Sequence, residues 1–197
     1  CSGNLTSAIV TDNPVNATVL GTYTVTYDVT DAVGLTAQQQ TRQVFVQDTT
    51  PPAITLLGDA VVYVECPQAY TDAGATASDI CDGNVTSAIV TNNPVNPAVR
   101  GTYTVRYNVT DSSGNAAVEV TRTVIVRDTT KPAISLTGAA SLTVECGAVY
   151  TDAGATASDA CDGDVTGSIV TTNPVNTAVP GKYVVVYNVT DASGNSA

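Results

Sequence analysis

The 197-residue chain contains no histidine, methionine or tryptophan, and a single phenylalanine. Without histidine, the Ser-His and Cys-His couples that activate nucleophiles cannot be assembled. Basic residues are scarce as well, seven against 18 acidic ones, for a net charge of −11. Neutralising a run of phosphates takes clustered Lys and Arg, so nucleic acid and anionic membrane surfaces are poor partners for this chain. No apolar run approaches the roughly 20 residues of a membrane-spanning helix, and no signal-peptide pattern occurs within these residues. Helix-period amphipathicity and Gly-rich phosphate cradles are also missing.

What remains is rich in Val and Thr, whose β-branched side chains favour strands over helices. A hydrophobic content of 43% with 13% charged residues is that of a globular chain, not a disordered one. The opening stretch CSGNLTSAIVT returns as CDGNVTSAIVT at residue 81 and as CDGDVTGSIVT at 161, a step of 80 residues. At that step residues 1–48 and 81–128 agree at 30 of 48 positions, and 49–80 and 129–160 at 21 of 32, with no gap. Cys1 thus holds the place of Cys81 and Cys161, an internal position of a repeat, which we favour over a lipid-bearing terminal cysteine. The step divides the chain into 1–48 (the C-terminal part of a repeat), 49–128 (a complete repeat) and 129–197 (a repeat lacking its last strand).

Within the complete repeat, Thr49-Thr50-Pro51-Pro52 reads as a stiff extended linker. Ala53–Leu57 and Val61–Glu65 read as short strands, as do the end of Tyr70–Asp79 and Val85–Thr91; Asn92–Arg100 reads as a connection. In GTYTVRYNVT the residues Tyr103, Val105, Tyr107 and Val109 share one face by strict alternation. Asp111–Asn115 has turn chemistry, and Val118–Val126 is the last strand. About seven short strands in 80 residues predict an all-β fold of tandem antiparallel β-sandwich domains.

DTTPPAI and DTTKPAI, YTDAGATASD, CDGNVT and CDGDVT, GTYTVRYNVTD and SSGN together resemble the bacterial surface immunoglobulin-like repeats related to the hyalin-repeat group. The resemblance covers the whole chain. It implies a secreted or cell-surface location in a tandem array that serves as a stalk, spacer or adhesive module. ATASD, NVTD and the linker are also similar in placement to the calcium-binding segments of cadherin-type repeats, without the full cadherin linker motif.

Cys66 and Cys81 lie 15 apart, as do Cys146 and Cys161, so one disulfide within each repeat is the economical expectation, which leaves Cys1 unpaired. Such a loop closure is worth roughly 3 kcal/mol. It carries a tension, because residues 67–80 would have to leave and return. Zinc is disfavoured by two cysteines per repeat with no CxxC.

The last strand must leave the domain at its far end. The final hairpin turn therefore belongs at the entrance, with the linker and the loop after ATASD. Oxygen ligands from Asp48, Asp79, Asp82, Asn84, Asp111 and Asn115 would gather there, and from Asp128, Asp159, Asp162, Asp164, Asp191 and Asn195 at the next junction. Calcium takes six to eight such oxygens, and four carboxylates without a cation repel; the competing reading is turn chemistry alone. With Asp164 opposite Asn84, the second junction counts five carboxylates to four and is expected to hold calcium more tightly.

The expected function is a structural stalk or surface-filament segment, rigidified by calcium; the alternative is an adhesin that recognises a glycan or protein, for which exposed Tyr63 is a candidate. No enzymatic activity is expected, since the paired carboxylates are turn residues copied in every repeat. The expected partners are neighbouring repeats of the same chain. The strands missing from the outer repeats belong either to a longer chain or to neighbouring subunits in a head-to-tail filament. Asn4, Asn16, Asn84, Asn108 and Asn188 stand in Asn-x-Thr sequons, of the kind a Thr-rich β chain produces by chance.

Overall fold

The computed structural model describes residues 3–197, so the unpaired state expected of Cys1 lies outside the described residues. The strands are β1 (Val10–Asp12), β2 (Gly21–Asp28), β3 (Gln40–Val46), β4 (Ala53–Leu56) and β5 (Val61–Glu65). They continue with β6 (Ala75–Asp79), β7 (Gly83–Asn84), β8 (Val90–Asn92), β9 (Gly101–Asn108) and β10 (Val120–Arg127). The third repeat carries β11 (Ala133–Leu136), β12 (Ala155–Asp159), β13 (Gly163–Asp164), β14 (Val170–Thr172) and β15 (Val186–Asn188). Three single 3-10 turns complete the set, and no α-helix occurs among the described residues. The fold is all-β, as expected.

Two compact units make up the chain, one of residues 1–55, 75–90 and 107–120, the other of 56–74, 91–106 and 121–197. The first holds the antiparallel sheet β1-β2-β3 and most of β4-β6-β7. The second holds most of β5-β10-β9-β8, with β11-β12-β13 and β14-β15. The 80-residue step survives in three dimensions: β1, β8 and β14 begin at residues 10, 90 and 170, and the 3-10 turns at 6, 86 and 166.

The alternation of β9 is realised, with Val105, Tyr107 and Val109 buried. Along β10 the inward series is Arg122, Val124 and Val126, so a guanidinium occupies a core position. Two expectations need correction. The β5–β10 pair is parallel, Val61 opposite Thr123 and Glu65 opposite Arg127, where antiparallel pairing was expected throughout. Both strands therefore run the same way and finish together, with Cys66 N donating to Arg127 O. The second correction is at Val85–Thr91, which is not one strand: Thr86–Ala88 is a 3-10 turn ahead of β8. Its cause is local, because Asn84 Oδ1 accepts Thr86 N at 3.0 Å while the Thr86 hydroxyl bonds both the N–H and the C=O of Ala77. In the third repeat Ser141–Glu145, the counterpart of β5, forms no strand.

Candidate functional site

In the first unit the linker, the loop after β6 and the final hairpin turn come together. Asp79 sits at the end of β6, where its Oδ1 accepts the backbone N–H groups of Cys81 (2.7 Å) and Asp82 (3.0 Å) and so shapes the turn. Asp82 reaches Ser112, accepting from its N–H at 2.6 Å and its hydroxyl at 2.8 Å. Asn115 spans the other side, its Nδ2 donating to Asp111 Oδ2 at 2.8 Å and to the Asp48 carbonyl at 3.3 Å. Ligand atoms of Asp48, Asp79 and Cys81 then lie within 4.8 Å of one another.

Two oxygens in this arrangement have no N–H or hydroxyl partner, with only the Cys81 thiol beside Asp48. Asp48 Oδ2 and Asp79 Oδ2 are buried without a hydrogen bond, and Asp79 as a whole is only 8% exposed. An unmatched, dehydrated carboxylate oxygen is costly unless a cation or proton faces it. Burial by itself would raise the Asp111 carboxyl, but the bonds from Asn115, Ser113 and Gly114 outweigh it and hold Asp111 below its ordinary value. Burial of the Cys81 thiol and the charges of Asp48 and Asp79 push it above its ordinary value.

The second unit repeats this plan 80 residues on. Asp159 Oδ1 accepts Cys161 N at 2.7 Å and Asp162 N at 3.0 Å; Asn195 Nδ2 bonds Asp191 Oδ2 at 2.8 Å and the Asp128 carbonyl at 3.3 Å. Here Asp128, Asp159 and Asp191, all buried, bring carboxylate oxygens within 4.8 Å of one another. Asp159 Oδ2 is buried without a partner.

Not every expected ligand joins. Asn84 and Asp164 are exposed, and each uses Oδ1 to accept the N–H of the Thr two residues on, Thr86 at 3.0 Å and Thr166 at 2.9 Å. They are turn residues, and the fifth carboxylate counted for the second junction is not in its cluster. Asn115 and Asn195 enter as donors through Nδ2, which leaves only Oδ1 of each for a cation. Tyr63 is exposed as expected, but the Arg127 guanidinium covers its ring at 4.6 Å from the centroid.

The disulfide pairing is corrected outright. Cys66 is bonded to Cys161, 95 residues away with Cα atoms 5.3 Å apart, and Cys81 and Cys146 are free. The parallel run of β5 and β10 explains it: Cys66 is delivered beside Arg127, one residue before Asp128. Cys161 stands in the same group, within 4.8 Å of Asp128 and Asp162 through its ligand atom. Cys81 belongs instead with Asp48 and Asp79. The bond therefore joins the second repeat to the third.

Sequence reasoning also missed two arginines. Arg122 is 1% exposed, ion-paired with Asp72, and donates through Nε to the Asp59 carbonyl at 2.9 Å and through Nη2 to the carbonyls of Leu57 and Gly74. Arg100 pairs with Asp162 at 2.9 Å and with Asp128 at 3.4 Å. The inward register of Arg122 in an alternating strand was a readable signal; Arg100 gave none.

Hyalin of Strongylocentrotus purpuratus is 32% identical over 206 residues, matching 100% of this chain but 17% of hyalin. The pesticidal crystal protein Cry22Aa of Bacillus thuringiensis is 31% identical over 202 residues, 99% of this chain and 27% of the relative. The chain thus spans about a quarter or less of the curated relatives it matches. A solved lipoprotein of Bacteroides thetaiotaomicron is 25% identical over 40% of this chain and 39% of its own, with a TM-score of 0.36. No helix among the described residues is long and apolar enough to cross a membrane. The family model described as bacterial surface protein, Ig-like domain matches residues 2–46, 54–126 and 134–197. The chain therefore belongs to the bacterial surface Ig-like domain family, whose repeats have a structural or binding role at the cell surface.

Proposed function

We propose that this chain is a segment of an extracellular stalk in which each repeat is coupled to the next by calcium, and the second to the third also by a disulfide. The observation that carries the calcium reading is Asp79 Oδ2 and its counterpart Asp159 Oδ2, each buried without a partner among other carboxylates, 80 residues apart. Turn chemistry accounts for Asp79 Oδ1, which accepts two N–H groups, but gives Oδ2 nothing to do. A hard cation with flexible oxygen coordination suits this donor set of carboxylates and carbonyls. Asp48 and Asp79 would hold it at the first junction, beside the Cys81 thiol and with Asp111 linked to Asp48 through Asn115, and Asp128, Asp159 and Asp191 at the second. The ion would supply charge neutralisation, removing repulsion that otherwise opposes closure of the junction. The absence of histidine and the recurrence of the acidic groups in each repeat support a non-catalytic role.

Titration calorimetry of the whole chain with calcium, repeated on D79N and D159N, tests the reading. We expect two binding events in wild type and one in each variant. No binding in the millimolar range, with melting unchanged by chelator, would reduce the acidic turns to turns. Small-angle scattering should report an extended particle that stiffens with calcium, and a compact globule would sink the stalk.

A further inference from the structure

The two junctions differ at one position that the repeat does not copy. Arg100 follows Val99 in the second repeat; the same place is Leu20 in the first and Pro180 in the third. The Arg100 guanidinium lies on the acidic group of the second junction. Nη2 is 2.9 Å from Asp162 Oδ1, and Nη1 is 3.4 Å from Asp162 Oδ2 and 3.4 Å from Asp128 Oδ2. Nη1 also contacts the Ser193 hydroxyl, which in turn donates to Asp128 Oδ2 at 2.9 Å. The Asp128 side chain is fully buried and that of Asp162 partly so, while Arg100 keeps about a third of its side chain in water.

We propose that Arg100 is a built-in cation that partly fills the second junction, so that calcium binds the first junction in preference to the second. The inference rests on the calcium reading above and reverses the order expected from counting carboxylates. Its support is the inventory of unmatched oxygens. At the first junction, with Leu20 in that place, neither Asp48 Oδ2 nor Asp79 Oδ2 has an N–H, hydroxyl or cationic partner, and only the neutral Cys81 thiol stands beside Asp48. At the second, Asp128 Oδ2 is satisfied by Arg100 and Ser193, and only Asp159 Oδ2 remains. A calcium ion entering there must displace the guanidinium from Asp128 or sit beside a like charge, whereas at the first junction it meets no paired cation. The second junction is thereby held closed in the absence of calcium by an ion pair as well as by the disulfide, and the first depends on the ion.

For a partly exposed ion pair the preference is roughly fivefold to tenfold in dissociation constant. Calorimetry on the whole chain resolves it, with D159N reporting the first junction alone and D79N the second. R100L in the D79N background should tighten the remaining site to within about twofold of the first, and L20R in the D159N background should weaken the first. R100Q, which keeps the polar stem without the charge, should act as R100L does. Equal affinities in the two backgrounds, or a second site indifferent to R100L and R100Q, would overturn the role of Arg100 while leaving calcium binding intact. No heat at either junction would overturn the calcium reading and this inference with it.

Discussion

Cys66 and Cys161 are bonded across a separation of 95 residues, which links the end of β5 to the loop after β12. In the chain-entropy picture a loop of about that length contributes roughly 4.7 kcal/mol by restricting the unfolded chain. Reduction of the whole chain should therefore lower its melting temperature by many degrees, as C66S should. Before reduction a thiol reagent should label Cys81 and Cys146 and spare Cys66 and Cys161, read by peptide mass spectrometry. A Cys66–Cys81 linked peptide from native protein would contradict the pairing.

Arg122 is expected to be costly to remove, since it is buried and charged. Its guanidinium answers Asp72 and three backbone carbonyls at once, so R122M takes the cation from Asp72, which keeps the Tyr70 hydroxyl and the Gly74 N–H, and strips one donor from each of three carbonyls. Breaking a buried ion pair from one side costs about 3 kcal/mol or more. Denaturant unfolding of R122M should show that loss. A change below about 1 kcal/mol would mean that water replaces the arginine.

Calcium-free stability should respond to D79N in the opposite direction from calcium-bound stability. The asparagine keeps an Oδ1 for Cys81 N and Asp82 N but carries no charge on the orphaned side. With chelator present, D79N is expected to melt at or above wild type. In calcium at a hundredfold excess over the dissociation constant, the first junction should lose the roughly 2.7 kcal/mol that mass action supplies. Scanning calorimetry with and without chelator distinguishes the two effects.

A pH window follows from Asp152, which accepts the hydroxyls of Tyr187 and of Tyr150, the latter at 3.0 Å. The bond to Asp152 pushes Tyr187 up to about 12, and the same bond holds Asp152 below its ordinary 3.8. The raised tyrosine stabilises the fold fully below its ordinary value of 10.0 and loses that contribution as pH climbs toward about 12. The lowered carboxyl contributes above 3.8 and loses its share as pH falls below it. An ultraviolet titration of the folded chain should find a tyrosine ionising at about 12, absent from Y187F. If Y187F leaves that late phase in place, the assignment is wrong.

The parts of this molecule legible in its sequence are those governed by local spacing. The alternation in GTYTVRYNVT placed Val105, Tyr107 and Val109 in the core, and the 80-residue step located the third-repeat counterparts of β4 and of β6 to β9. Chain direction alone brought Asp48, Asp79 and Asp111 to one region. Contacts that depend on which strand ends beside which loop were not legible. The disulfide follows from the parallel β5–β10 pair, and a parallel pair leaves no mark in a single strand's pattern. Arg100 looked like any solvated loop residue, because its partners Asp128 and Asp162 lie 28 and 62 positions away. Val85–Thr91 misled for the opposite reason: β-branched residues suggested a strand, while the Thr86 hydroxyl had already tied the chain to Ala77.

The disulfide has a mechanical consequence as well as a thermodynamic one. When the two ends of the chain are pulled apart, tension reaching Cys66 passes through the sulfur atoms to Cys161 and bypasses the polypeptide between them. Those residues, most of the second repeat among them, carry no force while the bond is intact. At about 3.4 Å per extended residue, the separation of 95 hides roughly 320 Å of contour length. A surface tether built this way would keep its length under shear until a reductant cut it, and would then yield that slack in one step.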